Sequence, residues 1–185
     1  MGRAIAENCM LRGAHVTLVN ASVSVEPPMF VDVVNVTSAA DMADVVKSKA
    51  AEQDIIIMTA AVADFCPSHP ADEKIKKNDS SYESVIELER TEDILSYLGA
   101  HKAKGQLICG FSMETQNMLE NSKAKLAKKN ADMIVANNLK VAGAGFGTDT
   151  NVVTLITADD CTELEIMDTV SYTHLRAHET GAYLV

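Results

Sequence analysis

The stretch Ile55-Ile-Ile-Met-Thr-Ala-Ala-Val-Ala-Asp64 decides how this chain folds. Its first four residues, 55–58, are apolar on both faces of an extended chain, and only a strand covered on both sides is so uniformly apolar. They predict a central strand of a sheet. The small residues and the acid that follow are typical of the loop beyond the carboxyl end of such a strand, where α/β proteins bind their ligands.

Further runs of β-forming residues flank this strand, and segments with a helical period separate them. The runs are 15–19, 31–36, 106–111, 133–136 and 152–156. Ser38 and Asp41 resemble a capping box, while Thr91 and Thr115 are predicted to cap two later helices. The alternation predicts right-handed crossovers and an α/β fold: a three-layer, Rossmann-like, mostly parallel sheet with helices on both faces. Segment 82–90 is predicted to be an exposed or antiparallel excursion.

Composition limits the class of protein. The chain has 185 residues, of which 47% are apolar and 23% charged, and its formal net charge is −10. This is a globular composition of about one domain, and the negative charge argues against a protein that coats nucleic acid or an anionic membrane. The longest apolar run, 55–63, is about half of a bilayer span. The four cysteines lack disulfide or zinc spacing, so a cytoplasmic location is expected.

Both ends of the chain depart from the pattern. The chain opens in a helix, with no strand and no glycine-rich turn before it, although α/β nucleotide sites normally begin with that pair. We therefore expect the first strand of the sheet to be missing. Residues 171–185 have no clear period and are expected to be a non-native or disordered tail. The remaining residues, 1–170, are predicted to be one domain that is incomplete at both ends.

Candidate binding residues follow the predicted strands. Asp64 is either the cap of a tight bend or a ligand for a ribose, a base or a metal. The lysines of Glu73-Lys-Ile-Lys-Lys77 are either solvated or face an anion, as in a loop that closes over a phosphorylated substrate. Phe111 either stacks on a base or belongs to the core. Each of these features alone is compatible with both interpretations.

Two further patterns are less specific. Lys123, Lys125, Lys128 and Lys129 end a predicted helix, where the negative helix end favours cations without any ligand. The glycine-rich segment 143–147 is followed by a strand, so it offers no helix N-terminus to a pyrophosphate and is predicted to be a loop. The sequence contains no credible nucleophilic set of Ser, His and Asp or of Cys and His.

Five ordered motifs resemble one family. They are Ala60-Ala-Val-Ala-Asp-Phe65, Glu73-Lys-Ile-Lys-Lys77, Gly110-Phe-Ser-Met-Glu-Thr115, Lys125-Leu-Ala-Lys-Lys-Asn-Ala-Asp132 and Ala136-Asn-Asn138 with 146–151. From Met1 to about Met167 the chain is similar to the bacterial CTP-dependent phosphopantothenate-cysteine ligases. These form the synthetase half of the bifunctional Dfp or CoaBC coenzyme A biosynthesis protein. Five motifs in one order are hard to obtain by chance.

The resemblance implies an enzyme that joins 4′-phosphopantothenate to cysteine through an acyl-cytidylate, using CTP and Mg²⁺ and releasing pyrophosphate. By that likeness Lys74 is the catalytic lysine, which neutralises negative charge that develops on the phosphates. The nucleotide-binding residues that it implies, besides Lys74, are Met58, Thr59, Ala60, Asp64, Glu92, Asp93, Ile94, Leu95, Phe111, Lys125 and Lys129. Glu92 stands where the family more usually has proline. No particular magnesium ligands are implied.

The resemblance also implies partners. The family's ligases are homodimers, and a flavin-dependent decarboxylase half often precedes the ligase; that half is absent here, so no FMN site is expected. The family opens with a strand and an Asn followed by Ser-Ser-Gly-Lys, and Met1-Gly2 resemble the end of that motif. Because the active-site Asn is then missing, we expect this chain to be inactive alone. We also expect an open apolar sheet edge to favour association or instability.

Two other functions remain open at this point. An oxidoreductase of Rossmann type that uses NAD or NADP would need an acid after the strand that ends at Val19, where Asn20 and Ala21 stand instead. A non-catalytic nucleotide-binding module would hold its ligand through Lys125 and Lys129 without any reaction. Titration with CTP, ATP and NAD separates the ligase from the oxidoreductase, and Lys74→Gln separates an enzyme from a sensor.

Overall fold

The computed structural model describes residues 1–21, 25–71, 73, 85–114, 117–138 and 150–168. Its helices are α1 (Gly2–Leu11), α2 (Ala39–Ala50), α3 (Ile94–Ala100) and α4 (Met118–Lys128). Its strands are β1 (Thr17–Asn20), β2 (Asp32–Asn35), β3 (Ile55–Met58), β4 (Phe65–Pro67), β5 (Leu88–Arg90), β6 (Leu107–Glu114), β7 (Met133–Asn138), β8 (Thr150–Asn151), β9 (Val153–Ile156), β10 (Cys161–Glu163) and β11 (Met167–Asp168). Within these ranges, no helix has the length and hydropathy of a membrane span.

Several features predicted from the sequence lie outside the described residues. They are Lys74, the glycine-rich segment 143–147 and the tail 171–185. The predictions made for them therefore stay predictions.

The main sheet has five strands in the order β10-β9-β7-β6-β3. β3, β6 and β7 run parallel to one another, whereas β9 and β10 are added antiparallel. β1 and β2 form a separate parallel pair. The predicted α/β class with a mostly parallel sheet is confirmed. The predicted antiparallel excursion is β5, which pairs with β4.

β3 lies at an edge of the five-stranded sheet, and the prediction that it is central is wrong. Ile55 pairs with Leu107 of β6, and Met58 pairs with Gly110. Among the described strands, none pairs with the other edge of β3. Its four residues are accordingly only half-buried. The described part of the five-stranded sheet thus ends in the apolar strand β3.

One face of the sheet is covered by α2, α3 and α4. Their apolar side chains pack on Ile108 of β6 and Ile134 of β7, both of which are fully buried. The helices contribute Met42, Ala43, Ile94, Leu95, Leu98 and Leu126. Removing these side chains from water is the main favourable contribution to folding.

A second apolar cluster lies on the opposite face. Cys109 follows Ile108 and Val135 follows Ile134, so these neighbours point to opposite sides of the pleated strands. The buried members of the second cluster come from β6, β7, β9 and Leu164, which follows β10. α1 contributes buried residues to neither cluster.

The capping box predicted for α2 is confirmed. The Ser38 hydroxyl accepts a hydrogen bond from the Asp41 backbone N–H at 3.0 Å, and the Asp41 carboxylate accepts from the Ser38 N–H at 2.9 Å. Hydrogen bonds from the hydroxyl of Thr37, and then from Ser38, lower the pKa of Asp41 to about 2.

The caps predicted for the two later helices are wrong. α3 begins after Asp93, whose carboxylate accepts from the Ser96 N–H at 2.9 Å. Thr91 instead donates its hydroxyl to the Ala63 carbonyl, an acceptor that sequence proximity does not reveal. α4 begins after Asn117, which has a left-handed backbone (φ 48°) and makes no side-chain cap, rather than after Thr115.

The end of α3 touches the end of α4. A Cβ atom built on Gly99 would overlap the Lys129 carbonyl group, so only glycine allows this approach. Asn130, with a left-handed backbone (φ 48°), donates its side-chain amide to the Gly99 carbonyl at 2.7 Å. This contact fixes the backbone of Lys129 against α3.

Candidate functional site

A cleft of about 520 Å³ opens at the carboxyl end of β3 and beside the middle of β6. The loop after β3, the segment before α3 and one side of α4 form its walls. The lining residues are Met58, Ala60, Val62, Ala63, Asp64, Thr91, Glu92, Asp93, Ile94, Leu95, Phe111, Asn121, Ala124, Lys125, Lys128 and Lys129. The carboxyl edge of a parallel α/β sheet is where such folds bind their ligands.

The floor of the cleft is apolar. Ile94 and Leu95 are buried beneath it, and Phe111 is half-buried in the middle of β6. Gly110 lets α3 approach the sheet here, because a Cβ atom on it would lie 2.8 Å from Leu95 Cδ2 and 3.0 Å from Ile134 Cδ1. A flat apolar group, such as a base, can be accommodated against this floor.

Hydrogen bonds tie the segment before α3 to the loop after β3. The Thr91 N–H donates to the Asp64 carbonyl at 3.0 Å, and the Thr91 hydroxyl donates to the Ala63 carbonyl. The first of these bonds continues the antiparallel pairing of β4 with β5. Two walls of the cleft are therefore held together by one backbone bond and one side-chain bond.

Asp93 and Lys129 form an ion pair inside the cleft. The Lys129 ammonium group donates to the Asp93 carboxylate and, at 2.9 Å, to the Ser96 hydroxyl. The Lys129 side chain is only 13% exposed. Partial burial would raise the pKa of Asp93, but the hydrogen bonds from Lys129 and from the Ser96 N–H outweigh it, so the pKa is lowered. The Asp93 carboxylate is therefore ionised at neutral pH.

Lys125 is held over the middle of β6. Its ammonium group donates to the Phe111 carbonyl at 2.8 Å. One residue further along β6, the hydroxyl groups of Ser112 and of Ser122 on α4 are hydrogen-bonded at 2.8 Å and buried. This buried bond fixes how α4 sits along β6, and with it the position of Lys125.

Glu92 forms an ion pair with a lysine that does not line the cleft. The Lys47 ammonium group of α2 donates to the Glu92 carboxylate at 2.7 Å and lies 5.5 Å from the centre of the Tyr97 ring. The hydrogen bond to Glu92 raises the pKa of Lys47. Of the three carboxylates that line the cleft, two are thus paired with lysine, and only Asp64 has no such partner among the described residues.

Comparison with known families gives a match over nearly the whole chain. The DNA/pantothenate metabolism flavoprotein C-terminal domain family, called DFP, matches residues 1–175. This chain is a member of the DFP C-terminal domain family.

Individual relatives of this DFP domain agree with that assignment. The chain is 47% identical over 160 residues to the coenzyme A biosynthesis bifunctional protein CoaBC of Bacillus subtilis (strain 168), covering 86% of this chain and 39% of the relative. It is 46% identical over 157 residues to a cysteine/cysteine sulfinic acid decarboxylase from an unknown prokaryotic organism, covering 84% and 43%. The chain thus spans about two fifths of the length of these curated relatives.

The fold of the DFP domain also matches solved structures. The crystal structure of the C-terminal domain of the coenzyme A biosynthesis bifunctional protein CoaBC superposes with a TM-score of 0.80 at 39% sequence identity. The match covers 98% of this chain and 82% of that one. The arrangement of strands described above is therefore that of a CoaBC C-terminal domain.

The cleft of the DFP domain brings together ten of the residues that the sequence singled out. They are Met58, Ala60, Asp64, Glu92, Asp93, Ile94, Leu95, Phe111, Lys125 and Lys129. Thr59 lies beside the cleft and next to α1, since a Cβ atom on Gly2 would be 2.7 Å from Thr59 Oγ1. Lys74 is outside the described residues. The roles of these side chains toward a nucleotide stay predictions.

Six lining residues were not predicted as part of a site. They are Val62, Ala63, Thr91, Asn121, Ala124 and Lys128. On α4, Asn121, Ala124, Lys125 and Lys128 recur at the spacing of one helix face. That periodicity is present in the sequence and could have identified them once Lys125 was chosen.

The described residues contain no group of three or more His, Cys, Asp or Glu side chains that could hold a metal ion. Mg²⁺ is often bound by one or two carboxylates together with substrate phosphates. Asp64, as the cleft carboxylate not paired with lysine, fits a magnesium ion that arrives with a nucleotide. The described part of the cleft does not fit an independent metal centre.

Proposed function

We propose that the cleft binds CTP and that the domain joins 4′-phosphopantothenate to cysteine in coenzyme A biosynthesis. The observation that carries the proposal is the cleft itself, in which residues from separate sequence motifs meet beside three lysines of the α4 region. Membership of the DFP family and the identity with a bifunctional coenzyme A biosynthesis protein favour the same reaction. The choice of CTP among nucleotides rests on the resemblance of the motifs.

The proposed reaction has two steps. A carboxylate oxygen of 4′-phosphopantothenate attacks the α-phosphorus of CTP, and the bond to the β-phosphate breaks with release of pyrophosphate. The cysteine amine then attacks the carbonyl carbon of the acyl-cytidylate, the carbon–oxygen bond to CMP breaks, and the amine loses a proton. Negative charge shifts among phosphate oxygens in both steps, so fixed cations lower their barriers.

Each wall of the cleft has a role in this proposal. The base lies on the apolar floor against Phe111 and beside the backbone of Met58 and Ala60. Lys125 and Lys129 contact the phosphates, and Lys74 supplies further positive charge to the reacting phosphate.

Lys129 must exchange its partner when the nucleotide binds. Its ammonium group, now donated to Asp93 and Ser96, would turn to a phosphate oxygen. Magnesium, held by Asp64 and the phosphates, would neutralise part of the triphosphate charge. The Asp93 carboxylate would remain the N-cap of α3 through the Ser96 N–H.

Calorimetric titration of the 185-residue chain with CTP, ATP and NAD, each with Mg²⁺, tests the proposal. We expect CTP to bind more tightly than ATP and NAD to bind least. Phe111→Ala should weaken CTP binding about tenfold, the usual effect of losing one base–aromatic stack. Phe65→Ala is the matched control, because Phe65 is half-exposed on β4 and does not line the cleft. Tightest binding of NAD, or no binding of any nucleotide, would contradict the proposal.

Turnover and assembly are separate questions. We propose that the chain is a homodimer and that, alone, it releases no pyrophosphate from CTP and 4′-phosphopantothenate. Light scattering after gel filtration gives the mass of the assembly, and a coupled pyrophosphate assay gives the turnover. Pyrophosphate release that depends on 4′-phosphopantothenate would overturn the expected inactivity and would strengthen the proposed reaction.

A further inference from the structure

We propose that Lys128 is a further phosphate contact of this cleft and that it distinguishes a triphosphate from a monophosphate. This inference rests on the proposed function and adds to it a residue that selects ligands by the length of their phosphate chain. The lysine lies in the last turn of α4 and lines the cleft together with Lys125 and Lys129.

The position of Lys128 follows from helix geometry. Asn121, Ala124, Lys125 and Lys128 recur three and four residues apart and share the face of α4 that borders the cleft. Lys128 lies three residues after Lys125, which is a rise of about 4.5 Å along the helix axis. A phosphate chain that meets Lys125 and runs along α4 therefore reaches Lys128 with its distal phosphates.

Of the three lysines that line the cleft, Lys128 is the one most available to a ligand. Lys129 donates to Asp93 and Ser96, and Lys125 donates to the Phe111 carbonyl. The side chain of Lys128 is exposed and makes no hydrogen bond or ion pair with any described residue. A phosphate can thus meet Lys128 without displacing a protein partner.

Helix stability offers a competing explanation for a lysine at this place. The negative end of α4 favours a cation without any ligand. That explanation predicts lower stability for Lys128→Ala, but no dependence of the effect on the number of phosphates in a ligand. Binding measurements with ligands of different charge therefore separate the two roles.

The experiment compares Lys128→Ala with Lys123→Ala by calorimetry, using CTP, CMP and inorganic tripolyphosphate as ligands. Lys123 is the matched control, because it lies on the same helix, is exposed and does not line the cleft. We expect Lys128→Ala to weaken the binding of CTP and of tripolyphosphate about tenfold, as for the loss of one charge-assisted contact. The binding of CMP should weaken about twofold or less. Lys128→Arg should restore most of the CTP affinity, and Lys123→Ala should leave every affinity unchanged.

The outcomes separate this inference from the proposed function. If the unaltered chain binds CTP and Lys128→Ala weakens all three ligands equally, or none of them, the role of Lys128 is refuted while the proposed function stands. If the chain binds tripolyphosphate in a Lys128-dependent way but binds no CTP, the role of Lys128 stands and the proposed function fails. Absence of binding by both CTP and tripolyphosphate overturns both.

Discussion

The carboxylate of Asp93 serves two partners at once. One oxygen caps α3 through the Ser96 N–H, and the other accepts from Lys129. Because its pKa is lowered, the carboxylate stays charged well below neutral pH. In the chain without ligand, Asp93 thus cancels one of the positive charges in the cleft, and a polyphosphate must compete with it.

Replacing Asp93 by Asn separates these two functions. Asparagine is as good an N-cap as aspartate, so α3 should persist. Lys129 would lose its charged partner, and we expect tripolyphosphate to bind about threefold to tenfold more tightly. Calorimetry measures the change, with Asp44→Asn on α2, outside the cleft, as the control. Unchanged or weaker binding in a variant of unchanged stability would show that Asp93 does not compete for Lys129.

Asp41 gives a prediction about pH. Its pKa in the folded chain is about 2, against an ordinary value of 3.8, because Thr37 and Ser38 donate hydrogen bonds to its charged form. A lowered pKa in the folded chain stabilises the fold at pH values above the ordinary pKa of 3.8. This contribution is lost as the pH falls from about 3.8 towards 2. Asp41→Asn should therefore be less stable than the parent chain at pH 7, with a difference that shrinks below pH 4.

Urea denaturation midpoints from pH 7 to pH 3 measure that difference. Glu52→Gln is the control, since Glu52 is an exposed acid just beyond the other end of α2. A difference between Asp41→Asn and the parent chain that stays constant down to pH 3 would rule out the capping carboxylate as the source.

At the scale of elements, the buried pair of Ser112 and Ser122 determines how α4 lies on β6. Both hydroxyl groups are buried, and each is the other's partner at 2.8 Å. Ser122→Ala leaves a buried hydroxyl unpaired, so we expect a loss of about 1–3 kcal/mol in the free energy of unfolding. The double variant with Ser112→Ala should cost less than the sum of the two single changes.

A double-mutant cycle by urea denaturation tests this coupling. Additive losses would mean that the two hydroxyl groups do not depend on each other. Ser48→Ala, an exposed serine of α2, is a suitable control for the removal of a hydroxyl group as such.

Elements defined by neighbouring residues could be predicted from the sequence, and those that depend on distant contacts could not. The bounds of β3 agree because the apolar run 55–58 ends in polar residues on both sides. The capping box of α2 joins residues three apart. Thr91 failed as a cap because its hydroxyl is taken by Ala63, 28 residues away.

The candidate site follows the same division. Motif resemblance selected residues that the fold does bring into one cleft, because the end of β3, the middle of β6, the start of α3 and the end of α4 meet there. The pairing of Lys47 with Glu92, 45 residues apart, and of Lys129 with Asp93, 36 apart, depends on the packing of helices. Lys128 was passed over because the helix end alone accounts for a lysine there.

At the scale of the whole molecule, the described strands differ in how many hydrogen-bonded neighbours they have. β7 has hydrogen-bonded neighbours on both sides and contains the fully buried Ile134. β3 is paired on one side only among the described strands, and β1 pairs only with β2. Backbone groups of β7 should therefore open to solvent least often.

Amide hydrogen exchange followed by NMR tests this ranking. We expect the slowest exchange in β7 and in the part of β6 that pairs with it, and faster exchange by about tenfold or more in β3 and β1. Addition of CTP should slow the exchange of β3 more than that of β9, because β3 ends at the cleft. Equal protection of β3 and β7 without ligand would show that the open edge of β3 is covered in solution.

The short ribbon of β4 and β5 has a consequence for the role that we propose for Lys74. Its pairing places Pro67 beside Leu88, and the other end of the ribbon joins Asp64 and Thr91, which line the cleft. Lys74 is seven residues from Pro67, so covalent geometry alone keeps it within about 25 Å of that anchor. An amine tethered at such a distance acts at an effective concentration in the millimolar range, whatever the amount of protein in solution. In the proposed reaction, the positive charge of Lys74 would thus be supplied by the protein chain itself, without a separate binding event.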